Sequence, residues 1–184
     1  MHEFGLCGVD VGLRRSVIAA LEGNRLVYLG EEAVRCVVCG VDAPLTRGRG
    51  PFRDCDRQIL RMGIGLYPVN MDFMMKLHSN ALSLLQKMGC AYGFEVYPYA
   101  VRRLLGFGHR KRTAEGRRKI EEALRRFVDM DLRRNMDPDE LDAITSALVV
   151  GMFLEGRARF VGDECRILLP VSGYSAGCYK IFRP

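Results

Sequence analysis

Runs of apolar residues separated by turn residues divide the first part of the chain into short strands. Three strands in a meander are predicted at residues 4–10, 15–21 and 25–29. A fourth apolar run, residues 34–41, is almost unbroken, which is typical of a strand covered on both faces. The chain therefore begins with a sheet, and the fourth strand is expected near its centre.

The next part of the chain alternates between irregular, helical and strand-like spacing. Residues 46–68 are rich in glycine, proline and arginine and lack periodicity, so we expect an ordered loop over the mouth of a site. Residues 70–88 place apolar side chains at the spacing of an amphipathic helix, which Gly89 ends. Residues 90–97 predict a further strand.

Helical patterns dominate residues 98–154. Residues 98–105 and 113–127 each predict a helix, and the first of them opens with a proline. The last helix, residues 137–154, begins with Asp137-Pro138-Asp139-Glu140, in which an aspartate caps the helix and a glutamate can reach back to the cap. Residues 158–184 predict two or three short strands.

These elements predict an α/β fold, in which a mixed five-stranded sheet is flanked by helices and followed by a short β-rich tail. A chain of 184 residues with 48% apolar content can bury one full core but is short for two. We therefore expect a single domain over residues 1–184, with residues 157–184 as a C-terminal strand extension.

The apolar runs are too short for a membrane protein. The longest, residues 143–154, falls below the roughly 18 residues that a membrane span needs. The amino terminus lacks the basic start, apolar stretch and cleavage site of a signal peptide. We expect a cytoplasmic protein with no membrane partner, and the sequence leaves its oligomeric state open, a dimer included.

The seven cysteines lie mostly inside apolar stretches, unlike those of a secreted disulfide framework. Cys36 and Cys39 have the spacing of zinc ligands, but they fall in a predicted buried strand, where residues three apart point to opposite faces. Small buried apolar side chains are the favoured interpretation, and disulfides are the alternative for a heat-adapted source.

A net charge of +6 rests on 23 arginines and 5 lysines, with the densest cluster at residues 109–112. Arginine forks suit phosphate oxygens, so this charge predicts a polyanionic partner. The alternative is a helix surface of solvated ion pairs with acids such as Glu121 and Glu122.

Acidic residues fall where the predicted elements could bring them together. Asp10 and Asp42 end the first and fourth strands, at the edge where α/β proteins build their sites. Asp139 and Asp142 are three residues apart and share a face of the last helix. Glu95, near the end of the fifth strand, either joins them or pairs with an arginine.

Carboxylates brought together in this way repel one another unless cations neutralise them. Oxygen ligands favour Mg²⁺ or Mn²⁺, and two such ions roughly 4 Å apart can activate a water and stabilise the leaving oxygen of a phosphodiester. Taken singly, the same acids also suit turns and a helix amino terminus, which is the structural alternative.

Six segments together resemble a family of uncharacterised proteins described as predicted nucleases with a ribonuclease-H-like fold. They are Gly8-Val-Asp-Val-Gly12, Gly40-Val-Asp-Ala-Pro-Leu45, Arg53-Asp-Cys-Asp-Arg57, Glu95-Val-Tyr-Pro98, Lys111-Arg-Thr-Ala-Glu-Gly116 and Asp139-Glu-Leu-Asp-Ala143. More distantly the layout resembles the Holliday-junction resolvases, in which an aspartate on the first strand, a glutamate on the fourth and two acids on the last helix bind divalent metals.

The resemblance implies a Mg²⁺- or Mn²⁺-dependent hydrolysis of phosphodiester bonds in DNA or RNA. The implied metal ligands are Asp10, Asp42, Asp139 and Asp142, with Glu95 as a further catalytic candidate. The residues expected to contact nucleic acid are Lys111, Arg110, Arg112, Arg57 and Arg53.

Two other functions are consistent with the sequence. A protein of the same fold could bind nucleic acid through its basic surface without cutting it, in which case binding would depend on salt and not on metal. The actin and sugar-kinase superfold also begins with an aspartate-glycine hairpin like Asp10-Val-Gly12, but those enzymes generally close two such domains around ATP.

Overall fold

The computed structural model describes residues 3–131 and 135–171, and within these residues it contains seven strands and five helices. In chain order they are β1 (Glu3–Asp10), β2 (Val17–Glu22), β3 (Arg25–Gly30), β4 (Arg35–Asp42), α1 (Asp54–Arg61), α2 (Asp72–Lys87), β5 (Tyr92–Val96), α3 (Pro98–Leu104), α4 (Ala114–Leu124), α5 (Pro138–Leu154), β6 (Ala158–Val161) and β7 (Ile167–Pro170).

The strands form one mixed sheet in the order β3-β2-β1-β4-β5-β7-β6. β1, β4, β5 and β7 are parallel, β2 is antiparallel to both of its neighbours, and β6 is antiparallel to β7. The predicted α/β class, a mixed sheet flanked by helices, is confirmed.

The prediction of five strands is wrong, because the tail joins the sheet. β7 pairs with the outer edge of β5, and all four of its residues are buried there. A strand so short and apolar gains more from extending the sheet than from lying apart as an extension. The predicted structure from residue 172 onward lies outside the described residues.

Helix α5 packs across β1, β2 and β4 on one face of the sheet. Gly8 and Gly40 are paired in register beneath it, and a Cβ on either glycine would collide with the helix backbone at Ala143, Ser146 or Ala147. The missing side chains let the helix lie close to the strands. Its amino-terminal turns therefore come near the carboxyl ends of β1 and β4.

The other face of the sheet is covered by α2. Ala81 of this helix and Met88, which comes just after it, pack in one apolar layer with Cys7 and Val9 of β1 and with Val41 of β4. The central strands are thus buried on both faces over most of their length, as the apolar run at residues 34–41 predicts, although Val37 near the start of β4 is exposed. In the part of the chain that the structure describes, no helix is long and apolar enough to cross a membrane.

One predicted loop contains a helix. The prediction of a loop throughout residues 46–68 is wrong in part, because α1 occupies Asp54–Arg61. Only Cys55 and Ile59 form its apolar stripe, four residues apart, and the surrounding arginines hide that pattern in the sequence. The cap of α5 agrees with prediction: Asp137 accepts from the amides of Asp139 and Glu140, at 2.9 Å each.

Candidate metal centre and cleft

Three aspartates from distant parts of the chain meet at one edge of the sheet. Asp10 and Asp42 are the last residues of β1 and β4 and are paired in parallel register, and Asp142 lies on the second turn of α5. Ligand oxygens of the three side chains all lie within 4.8 Å of one another. We call Asp10, Asp42 and Asp142 the three-acid cluster.

Asp139 lies beside this cluster but has another partner. Its carboxylate accepts from the Arg15 guanidinium at 3.0 Å, and the same guanidinium donates to Asp137 at 2.7 Å. Asp139 is close enough for its charge to raise the pKa of Asp10. The structure therefore places the fourth predicted ligand in a half-exposed ion pair at the margin of the site.

Glu95 takes the alternative role, as the partner of an arginine. Its carboxylate accepts from both terminal nitrogens of Arg53 and from the backbone amide of Leu45. Arg53 also donates to Asp56, and all three charged side chains are buried. Burial raises the pKa of Glu95, although Arg53 opposes that effect. This buried triad holds the chain segment that comes after Asp42.

Two cations neutralise part of the three-acid cluster. Arg102 of α3 donates to Oδ1 of Asp142 and to Oγ1 of Thr145, the latter at 3.2 Å. Lys111 donates to Oδ2 of the same carboxylate. The Arg102 side chain is 2% exposed and that of Lys111 is 35% exposed. Arg102 is therefore a fixed part of the site, whereas the Lys111 ammonium group has access to solvent.

Sequence reasoning missed Arg102. It belongs to one of many arginine pairs, and nothing in its immediate neighbours distinguishes it. The spacing within α3 carries a signal, since Pro98, Val101 and Arg102 share a helix face and all are buried. An arginine on an apolar helix face requires a buried acidic partner, and this one finds Asp142.

The electrostatics of the cluster favour neutralisation by protons or cations. Burial raises the pKa of Asp10 to about 7, with further contributions from Asp142 and Asp139 against the opposing effect of Lys111. Burial, followed by Asp142 and Asp10, holds the pKa of Asp42 well above its usual range. For Lys111, burial opposes the charged form, but the three acids outweigh it and raise the pKa.

The donor set fits a hard divalent cation. Three carboxylates within reach of one another supply the oxygen ligands that Mg²⁺ and Mn²⁺ prefer. Their three negative charges face only two positive ones, from Arg102 and Lys111. Asp10, Asp42 and Asp142 would hold such an ion, and Lys111 would have to leave Oδ2 of Asp142 for that oxygen to become a ligand.

The cluster opens into a cleft of about 680 Å³. One part of its lining is basic and comes from residues 109–112, between α3 and α4. Another part is apolar and aromatic and comes from the segment before α2, from α2 itself and from Tyr97 and Tyr99. The acids, the basic segment and the aromatic surface therefore belong to one concave site.

The predicted nucleic-acid contacts divide into three groups. Arg110, Lys111 and Arg112 line the cleft, as a phosphate-binding role requires. Arg57 is exposed on α1 and lines a different depression. Arg53 borders both depressions, but its guanidinium is buried and bonded to Asp56 and Glu95, so the contacts support a structural ion-pair role better than contact with phosphate.

The cysteines pair with one another instead of forming a zinc site at residues 36–39. Disulfides join Cys39 to Cys90 and Cys55 to Cys165, while Cys7 and Cys36 are free and buried together. Cys36 and Cys39 share one apolar layer, so the expectation of opposite faces is wrong. The reason is an irregularity near the start of β1 and β4, where Gly5 and Val37 are both exposed. Side chains therefore do not alternate regularly between the two faces of the sheet from Cys36 to Cys39. Cys178 lies outside the described residues.

A second group of possible ligand atoms, Asp54, Cys55 and Cys165, has no free capacity for a metal. Its two sulfurs form a disulfide, and the Asp54 carboxylate accepts from the backbone amides of Asp163, Glu164 and Cys165. Among the described residues the three-acid cluster is thus the better candidate for a cation. Comparisons of the chain with protein-family models, with curated proteins and with solved structures gave no match.

Proposed function

We propose that the protein is a ribonuclease-H-like nuclease, which hydrolyses phosphodiester bonds in DNA or RNA with the help of Mg²⁺ or Mn²⁺. The observation that carries the proposal is the meeting of Asp10, Asp42 and Asp142 in one cluster. They come from the first strand, the fourth strand and the last helix, which are the three elements that supply acids in the Holliday-junction resolvases that the layout more distantly resembles.

The order of the strands supports the fold part of the proposal. β3, β2, β1, β4 and β5 are consecutive in the sheet, with β2 antiparallel to its neighbours and α5 packed across the centre. A five-stranded mixed block of this kind is what the resemblance implies. β7 and β6 extend it beyond β5.

Each residue of the site has a distinct part in the proposed reaction. Asp10, Asp42 and Asp142 would hold the metal, and Arg102 fixes the orientation of Asp142. When bound, the metal supplies a Lewis acid and a water of lowered pKa. Lys111 moves from Asp142 to the substrate phosphate, and Arg110 and Arg112 bind neighbouring phosphates from the same cleft. The cleft keeps bulk water away from the reacting bond.

The two-metal mechanism that the resemblance implies would draw on Asp139 as a fourth ligand. Asp139 is not among the acids whose oxygens lie within 4.8 Å of one another, and its Oδ2 accepts from Arg15. We therefore expect the three-acid cluster to hold a first ion more tightly than a second.

The test is cleavage of single-stranded, duplex and branched DNA and RNA in the presence of Mn²⁺. Wild-type protein is expected to cut at least one substrate, and Asp10→Asn and Asp142→Asn to lose that activity by about a hundredfold or more, a range typical for the removal of transition-state charge stabilisation. Glu122→Gln is the matched control, because it removes a carboxylate from an exposed pair on α4. Equal activity of all four proteins on every substrate would refute the proposal.

A second candidate function is nucleic-acid binding without cleavage. The observation that favours it is the Lys111–Asp142 ion pair, which partly neutralises the cluster with no metal. This function predicts binding that weakens as salt rises and that does not change when EDTA is added. A failure to retain DNA or RNA at low salt would exclude it.

A further inference from the structure

The walls of the cleft differ in chemistry, and this difference bears on the substrate. Besides the acids and the basic segment 109–112, the cleft is lined by Tyr67, Phe73, Tyr97 and Tyr99. Tyr67 and Phe73 meet edge to face, with ring centroids 5.4 Å apart, and Tyr97 and Tyr99 are 6.1 Å apart. Tyr97 and Tyr99 also pack against the hydrophobic core, so the exposed ring of Tyr67 is the one whose place in the cleft packing does not explain.

The aromatic rings lie near the acids. Tyr97 comes directly after β5 and its hydroxyl donates to the carbonyl of Gly65 at 2.6 Å, in the segment that leads to Tyr67. Burial is the main cause that raises the pKa of Tyr97. The charge of Asp42 is the second, and Tyr99, Asp142 and Tyr67 contribute as well. These groups are therefore within electrostatic reach of the Tyr97 hydroxyl, and all of them line the same cleft.

The exposure of Tyr67 identifies it as a surface on which a ligand can stack. Tyr67 is 59% exposed to solvent, although aromatic side chains normally bury most of their surface area. Phe73 contacts this ring in a T-shaped arrangement, and more than half of Tyr67 remains accessible. An accessible ring next to a phosphate site is the arrangement with which proteins bind unpaired bases.

We infer that the substrate is a single strand, or the unpaired end or junction of a duplex, whose base stacks on Tyr67 while its phosphates contact Arg110, Lys111 and Arg112. The inference rests on the proposed nuclease function and adds the class of substrate. In a duplex each base is already stacked between its neighbours, and it would have to be flipped out before it could reach the ring. A cleft of 680 Å³ also lies in the range of about 300–1,000 Å³ that holds small-molecule ligands, which is room enough for an unpaired base and its phosphate.

The test measures binding and cleavage separately. A fluorescein-labelled DNA oligonucleotide of mixed sequence, and its RNA counterpart, are titrated at low salt in EDTA, either alone or annealed to the complement. The proteins are wild type, Tyr67→Phe, Tyr67→Ala and Tyr92→Ala. Tyr92 is the matched control because it is 61% exposed and lies at the opposite end of β5 from the acids.

Stacking on Tyr67 predicts that the single strand binds more tightly than the duplex. Tyr67→Ala should weaken that binding by about tenfold, within the range measured for loss of one base–aromatic contact, while Tyr67→Phe and Tyr92→Ala should bind like wild type. Equal binding of the single strand and the duplex, or equal effects of Tyr67→Ala and Tyr92→Ala, would overturn the inference, as would no binding at all.

Cleavage in Mn²⁺ then distinguishes this inference from the proposed function. If wild type cuts a duplex as fast as the single strand, the nuclease proposal stands and the substrate class is wrong. If nothing is cut but the single strand binds with the predicted Tyr67 dependence, the nuclease proposal fails and the stacking surface stands as part of a binding protein.

Discussion

The Lys111 ammonium group donates to the buried carboxylate of Asp142 and supplies part of the positive charge that the three-acid cluster needs. A divalent ion held by the cluster would therefore compete with this lysine for one oxygen. The lysine could leave because its side chain is partly exposed, and the basic segment that carries it lines the same cleft. In the proposed reaction, metal binding and phosphate binding would thus be coupled through a single side chain.

Replacing Lys111 separates these two effects. Lys111→Met should bind Mn²⁺ about tenfold more tightly at pH 8, because a Coulombic competitor is gone, and should bind nucleic acid more weakly. Isothermal titration calorimetry measures the first effect and fluorescence anisotropy the second. Lys119→Met, which removes an exposed lysine from an i,i+4 pair on α4, is the control. Weaker Mn²⁺ binding in Lys111→Met would contradict the competition.

The pH dependence of stability should reflect Asp10. Its pKa is 3.8 ordinarily and about 7 in the folded protein, so the folded state holds a proton that the unfolded state has lost. The contribution of this group to the free energy of unfolding is complete below about pH 4 and is lost as the pH rises through about 7. A bound divalent ion would replace this proton and that of Asp42, whose pKa is raised as well, so the rise in Tm caused by Mn²⁺ should grow between pH 5.5 and pH 8.

Thermal melts with and without Mn²⁺ measure this dependence directly. Without metal, Asp10→Asn should lose stability less steeply than wild type over the same pH range, because its amide does not titrate. If the rise in Tm caused by Mn²⁺ stays constant, or becomes smaller as the pH rises, Asp10 does not hold the ion.

Gly8 sets the distance between α5 and the sheet. Gly8→Ala places a methyl group against the helix backbone at Ala143 and Ala147, so the helix must shift outward. We expect a loss of stability of about 1–3 kcal/mol, as for other overpacked cores. Mn²⁺ affinity should fall as well, although no carboxylate changes. Gly5→Ala, on the same strand with no atom near the added methyl, is the control for both measurements.

The buried triad makes Arg53 a stability residue. Arg53→Met leaves the carboxylates of Asp56 and Glu95 buried without their cation, which costs about 3–5 kcal/mol when a partner of a buried pair is removed. Urea unfolding should show this loss. Arg57→Met, one helical turn away and exposed, should change stability by no more than about 0.5 kcal/mol. Equal stability of the two variants would mean that the buried carboxylates of Asp56 and Glu95 do not depend on Arg53 for compensation of their charge.

The sequence was sufficient to predict that Asp10 and Asp42 meet, and the reason is geometric. Two parallel strands that each end in an aspartate bring those residues to the same edge of a sheet, and here they are paired in register. The position of Asp142 is set by the helix cap, since Asp137 and Pro138 fix where α5 begins. Local rules of strand end and helix start thus determine the core of the site.

The partners of the acids depend on contacts that local rules do not reach. Asp139 accepts a hydrogen bond from Arg15, which is 124 residues away in the chain. Helix periodicity cannot show that an arginine from the first hairpin will pair with this aspartate. The pairing of Arg53 with Glu95 spans 42 residues, and sequence patterns predict separate roles for its two members. Long-range ion pairs in an arginine-rich chain have too many alternatives to be chosen from spacing alone.

Two of the three acids in the cluster are positioned by main-chain pairing between central strands, and the third by a helix packed directly on those strands. Such elements are usually the last to open in hydrogen exchange, whereas irregular connections, which supply part of the cleft lining at residues 66–67 and 109–112, open first. Those connections can therefore move, or change in sequence, without separating the carboxylates. Substitutions there would alter what the cleft accepts while the arrangement of Asp10, Asp42 and Asp142 stays the same.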